Sequence, residues 1–274
     1  MRILKKPTAL MSIIALALGL ILGATALFQS GWRVGSGGIT RAVRGKVCLV
    51  APLAASVFYV DEKQVETSRA NDRELCESLT AGEHTLLLAA PGSWPWIKKI
   101  TVTAATPTHR YRAFTLSQNI TKITLDPGTK EYILAQNALV TSLVPSPSSP
   151  LRSADGTRAL WYEPEARSLT AEWRGEKRAL PRAFCEEDAC VNTITLLANV
   201  VEPPRALAFA PGRDDIVLIA AGVGIYALEI TATPERNFQP IYNGTSPTLV
   251  PNDATSIYVG DGSTLFRIAL DVGL

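Results

Sequence analysis

The sequence is poor in the residues that do chemistry. Among its 274 residues there are two histidines, His84 and His109, and four cysteines. Acid–base catalysis needs a base within reach of a partner acid or nucleophile, and the order of the sequence sets neither beside either histidine. No catalytic constellation is legible, and the chain is expected not to be an enzyme. Basic runs interleaved with aromatics are missing too, and the net charge is only +2. That argues against a nucleic-acid partner. Cys185 and Cys190 flank acidic residues, but no second Cys or His cluster completes the four soft ligands zinc prefers. The segment GVGIYA, residues 222–227, resembles half of a dinucleotide fingerprint, yet it sits in a hairpin pattern and not between a strand and a helix. No cofactor and no metal are expected.

Charge is absent from one long stretch. Arg2, Lys5 and Lys6 precede residues 8–28, which carry no charge at all. As a helix rising ~1.5 Å per residue, that stretch would reach ~31 Å, about the hydrocarbon thickness of a bilayer. A cleavable signal usually has a shorter apolar core of roughly 7–15 residues, although Ala24-Thr25-Ala26 could serve as a cleavage site. The expectation for residues 1–28 is a single-pass transmembrane signal anchor. Basic residues lie on both sides of it, so they leave its orientation open.

The cysteines decide the orientation. An even number, falling into two local pairs behind a membrane-targeting segment, points to disulfides and an oxidising compartment. The expected pairs are Cys48 with Cys76 and Cys185 with Cys190. In the chain-entropy picture they stabilise by roughly 3–4 and roughly 2 kcal/mol. The body would then lie outside the cytoplasm, on a protein of the cell membrane. A cytoplasmic body with free thiols is the weaker reading.

The rest is mainly β. Residues 29–46 (QSGWRVGSGGITRAVRGK) form a glycine-rich juxtamembrane linker. Residues 47–117 show short alternating runs broken by turn residues, as in KVCLVAP, SVFYVDEKQV and TLLLAAPGSWPWIKKITVTAA. A half-buried sheet requires that alternation. A sandwich this small needs a staple, which Cys48 and Cys76 would supply. Residues 118–274 repeat a scheme of strand, Pro/Asp/Gly turn, strand, Gly hairpin, strand. Its copies lie in GTRALWYEPEARSLTAEW, RALAFAPGRDDIVLIAAGVGIYALEI and PTLVPNDATSIYVGDGSTLFRIAL, with a weaker first copy in ITKITLDPGTKEYILAQNALVTSL. Such recurrence marks an antiparallel β-meander or propeller-like repeat domain of about four units.

Within residues 47–117 the segments VFYVDEKQVE and LTAGEHTLLLAAPGSWPWIKKITV resemble a PEGA domain, a small surface-layer-associated β-sandwich module of bacteria and archaea. Val60-Asp61 matches its first turn, Gly82-Glu83-His84 its second, and Gly92, Trp94 and Trp96 its glycine–aromatic segment. Glu62 departs from the pattern, standing where the family usually has the turn glycine. The whole order resembles bacterial membrane-anchored PEGA-domain proteins with a β-repeat C-terminal half. That resemblance implies location and architecture and no established chemistry.

Two places qualify as partner sites. Trp94 and Trp96 flank Pro95 at a hairpin crown, where they could stack on a sugar or a peptide or close the end of the small core. The lid is the favoured reading. Arg236, Asn237 and Tyr242 form a polar–aromatic cluster between two repeat units, where β-repeat proteins commonly bind; Asn243-Gly244 is also plain hairpin chemistry. The expected function is therefore a non-enzymatic, membrane-anchored, extracytoplasmic binding or scaffold protein, whose partner is an envelope protein or cell-wall polymer. The alternative is an envelope carbohydrate-active enzyme using acidic residues on the β-repeat face, where Glu186-Glu187-Asp188 and Asp214-Asp215 are expected in turns and paired carboxylates could act on a glycosidic bond.

Overall fold

The computed structural model describes residues 14–21, 23, 25, 32–35, 38–41, 44–69, 72–102, 109–141, 144–176, 180–186 and 189–270. These residues are mainly β, in antiparallel sheets. The chain divides into two compact units, one of residues 1–47, 76–83 and 101–109 and one of residues 48–75, 84–100 and 110–274.

In the first unit, residues 14–21, 23 and 25 are helical, and Ile14, Leu16, Leu18, Leu20 and Ile21 are exposed. Among the described residues, no helix is long and apolar enough to cross a membrane. The remainder of the expected 8–28 span lies outside the described residues. The glycine-rich linker holds a short hairpin, with Trp32–Gly35 paired to Gly38–Arg41.

The second unit carries most of the structure. Its residues 57–60, 63–67, 84–89 and 96–100 lie in a four-stranded sheet of the order Lys63–Thr67, Val57–Val60, Gly82–Ala89, Trp96–Val102. The burial of Trp96–Val102 alternates strictly, with Trp96, Lys98, Ile100 and Val102 inward. Its first hairpin turns through Asp61 and Glu62 at φ of 48° and 66°. Both are left-handed, so Glu62 adopts the conformation that favours glycine.

The C-terminal part contains three four-stranded antiparallel sheets among the described residues. The first runs Leu151–Arg152, Arg158–Glu163, Ser168–Trp173, Thr193–Leu197. The second runs Ala206–Ala210, Arg213–Ala221, Gly224–Glu229, Phe238–Asn243. The third consists of Thr248–Pro251, Ser256–Asp261, Thr264–Ala269 and, from far upstream, Lys122–Thr124. The first two sheets share one core, in which Leu160, Leu169 and Phe184 meet Val217, Ile219 and Leu228.

The weak first repeat is thus no repeat unit. It lends one strand to the last sheet and then becomes the helix Lys130–Thr141. The reason is local. Thr129 accepts the Tyr132 N–H through its hydroxyl at 3.2 Å, as a helix N-cap does. Tyr132, Ala135 and Leu139 then fall on one face, against Tyr258 and Leu265. Asp214 and Asp215 also differ from expectation: they lie inside the strand Arg213–Ala221 and not in a turn.

Candidate functional site

The hairpin crown is built into the interior. Trp96 is wholly buried, its ring 6.3 Å from that of Tyr111. Trp94 is half-buried, and its N–H donates to the Leu116 carbonyl at 2.8 Å. Two residues on, Lys98 is buried as well. Its ammonium donates to Glu229 Oε1 and Thr231 Oγ1, both at 3.0 Å, and lies within 6 Å of the Trp96 and Tyr111 ring centres. A buried charge persists only when it is paired and hydrogen-bonded, and here it is both.

Asn237 and Gln239 complete this junction. A side-chain amide carries the donor and acceptor of a peptide group, so it can pair with a strand edge as another strand would. Asn237 Oδ1 accepts the Ile97 N–H at 2.8 Å, while Nδ2 donates to the Ile97 carbonyl at 2.9 Å and to Glu229 Oε2 at 2.7 Å. Gln239 Oε1 accepts the Leu116 N–H at 2.8 Å, and its Nε2 donates to the carbonyls of Pro95 and Phe114, both at 3.2 Å. Both amides are buried. The structure therefore brings the Trp96 strand and Asn237 to one junction, where the amide of Asn237 is engaged inside the fold.

Arg236 and Tyr242 are half-buried. Arg236 Nε donates to the Thr231 carbonyl at 3.0 Å. The Tyr242 hydroxyl donates to Asp261 at 3.0 Å, and that carboxylate also accepts the Ser246 and Thr245 N–H groups at 2.9 and 3.0 Å. The Ser246 N–H, aided by the Thr245 N–H and the Tyr242 hydroxyl, holds the Asp261 carboxyl below its ordinary range. Burial, with the adjoining Asp261 carboxylate, pushes the Tyr242 phenol up. A Cβ on Gly244 would meet the Asp261 carboxylate and the Tyr242 ring, so a larger residue there would have to displace this hydrogen-bonded pair.

An acid–histidine pair does exist. His84 Nδ1 lies 2.7 Å from Asp61 Oδ2, and Asp61 Oδ1 accepts the Thr85 N–H at 2.9 Å. Burial alone would raise the Asp61 carboxyl, but the His84 and Thr85 hydrogen bonds outweigh it and hold it below its ordinary value. Asp61 is half exposed at the hairpin tip, so the pair ties the turn to the neighbouring strand Gly82–Ala89. Asp214 is ion-paired with Arg158, and Asp215 with Arg213 at 2.6 Å. Glu187 and Asp188 lie outside the described residues. Every cysteine is disulfide-bonded: Cys185 pairs with Cys190 across a two-strand hairpin, and Cys48 and Cys76 are bonded as well.

One concavity stands apart from these polar networks. An apolar pocket of about 90 Å³ opens between the first and second C-terminal sheets. Tyr162, Leu169 and Leu197 line it from the first sheet, and Ile219, Tyr226 and Phe238 from the second. Tyr226 and Phe238 stack with ring centres 4.7 Å apart. Phe238 is 49% exposed, and Val201, next to the lining residue Val200, is 82% exposed. No carboxylate, imidazole, amine or thiol is among the lining side chains. Sequence reasoning missed this pocket, because it depends on how two sheets splay apart. The nearest signal was the polar–aromatic cluster of Arg236, Asn237 and Tyr242, within which the lining residue Phe238 was not singled out.

No protein-family model matches the chain, and no curated protein matches it.

Proposed function

We propose that the chain is a non-enzymatic, membrane-anchored, extracytoplasmic binding or scaffold protein of the cell envelope. Residues 8–28 serve as the single span. A PEGA-like β-sandwich follows it, and the propeller-like β repeats present the binding surface. The observation that carries this reading is the pocket between the first two C-terminal sheets. Its lining is apolar and free of acids and bases, which suits the capture of an apolar group and offers nothing for proton transfer. Of the repeat-half carboxylates named as candidates, Asp214 and Asp215 are each held by an arginine. Four oxidised cysteines support an oxidising location.

The test has two arms. In intact cells, a membrane-impermeant thiol reagent is expected to label the protein only after an impermeant reductant is added; labelling without reductant overturns the disulfides, and no labelling even after the reductant overturns the location. The full chain in mild detergent is then mixed with isolated wall polymer and, separately, with solubilised envelope proteins. Saturable retention by either supports the binding reading, and retention by neither, or release of reducing sugar ends from the polymer, overturns it.

A further inference from the structure

Resting on the binding-protein reading, we infer that the outer edge of the first C-terminal sheet is a docking site for an extended, uncharged segment of a protein partner. The segment adds as a strand beside Thr193–Leu197 and sets one aliphatic side chain into the neighbouring apolar pocket.

The sheet order ends at Thr193–Leu197. Among the described residues its only strand partner is Ser168–Trp173, so one side of its backbone is left without a ladder. Exposed edges are normally blunted by charge or proline, because they template pairing with other chains. The sequence here is TITLL, with neither. The opposite practice is seen at Lys63–Thr67, the outer strand of the sheet in residues 57–102, whose sequence KQVET carries Lys63 and Glu66.

The register links this bare edge to the pocket. Tyr162 pairs with Leu169, and Leu169 with Leu197; the register then shifts by one residue, leaving Leu196 unpaired in a bulge before Thr170 pairs with Thr195. Directly opposed residues on neighbouring strands project to the same face. Tyr162, Leu169 and Leu197 all line the pocket. A fourth strand would place its residue opposite Leu197 next in that row, facing the same pocket. A dry cavity of ~150 Å³ takes a benzene ring, so about 90 Å³ suits a leucine- or isoleucine-sized group better than a tryptophan.

Size and charge select the occupant. Five residues of strand extend roughly 17 Å. That contact, with one anchored side chain, is far below the ~800 Å² per partner of a stable folded interface. It fits a single extended segment by strand addition and not a second folded copy. Residues 191–200 carry no charge, so a charged segment gains nothing there and would lose hydration.

The experiment titrates the full chain in mild detergent with capped, uncharged five-residue peptides of alternating threonine that differ only at the central residue. Central leucine is expected to bind best, and alanine or tryptophan roughly tenfold more weakly or worse. Methylating the backbone nitrogens along one edge of the leucine peptide is expected to abolish binding when that edge faces the protein. Ala221→Phe, which fills the pocket, and Thr195→Lys, which places a charge on the edge without touching the core, should each weaken binding at least about tenfold. Indifference to N-methylation, equal binding of all central residues, or no binding by any peptide overturns the site. If the peptides fail while envelope material is still retained, the binding reading stands and this site falls. If both fail, both fall.

Discussion

Two sheet edges in the C-terminal part are treated in opposite ways. The outer strand of the second sheet, Phe238–Asn243, turns Gln239 inward and follows directly on Asn237. Together these amides satisfy the backbone of Pro95, Ile97, Phe114 and Leu116 around a buried Lys98–Glu229 pair. The outer strand of the first sheet, Thr193–Leu197, has no such cover among the described residues and ends beside an apolar pocket. A third edge, Lys63–Thr67, is guarded by charge. One chain thus closes one edge with polar side chains, defends another with charge and leaves a third bare. Because unpaired edges are a hazard for solubility, leaving one bare beside a pocket is the feature that points to a partner.

The closed edge is the place where a substitution should cost most. Lys98→Met leaves Glu229 buried without its cation, and about 3–5 kcal/mol of stability should be lost. Lys98→Met with Glu229→Leu should recover most of that in denaturant unfolding, since the unpaired charge is then gone. No recovery would mean that the pair is not what holds the junction. Asn237→Ala removes the partner of both Ile97 backbone groups and should cost about 1–3 kcal/mol. Asn237→Asp keeps the acceptor for the Ile97 N–H but sets a carboxylate against Glu229, so it should be at least as damaging.

The guarded edge should respond in the other direction. Glu62 sits at φ 66°, and Glu62→Gly should raise stability by about 0.5–1 kcal/mol as the left-handed strain is relieved. A loss in thermal unfolding would show that the Glu62 side chain contributes more than its backbone costs. At the bare edge the smallest effect is expected. Thr195→Lys should change stability by less than about 0.5 kcal/mol, because Thr195 is exposed. The same substitution should suppress peptide binding, and that separation of stability from binding distinguishes the bare edge from the closed one.

The parts legible in the sequence were those written in local pattern. Alternation gave the strands around Val57–Val60 and Trp96–Val102. The cysteine spacing gave the Cys185–Cys190 pair. The helix Lys130–Thr141 was hidden because its apolar residues, Tyr132, Ala135 and Leu139, also fit a β-rich context, and Thr129 as an N-cap looks like any turn residue. Asp214 resembled a turn residue because nothing local reveals its partner Arg158, more than fifty positions upstream. The strand edges were illegible for the same reason. Asn237 reads as a polar loop residue until the fold brings Ile97 to it from 140 positions away, and Leu197 reads as a core residue until the sheet order ends there.

Amide hydrogen exchange on the full chain, with and without the leucine peptide, tests the contrast between the edges most directly. The amides of Ile97 and Leu116 should be strongly protected in both conditions. The outward-facing amides of Thr193–Leu197 should exchange rapidly alone and become protected when the peptide is added. Edge amides already as slow as Ile97, or unchanged by the peptide, would contradict an open docking edge.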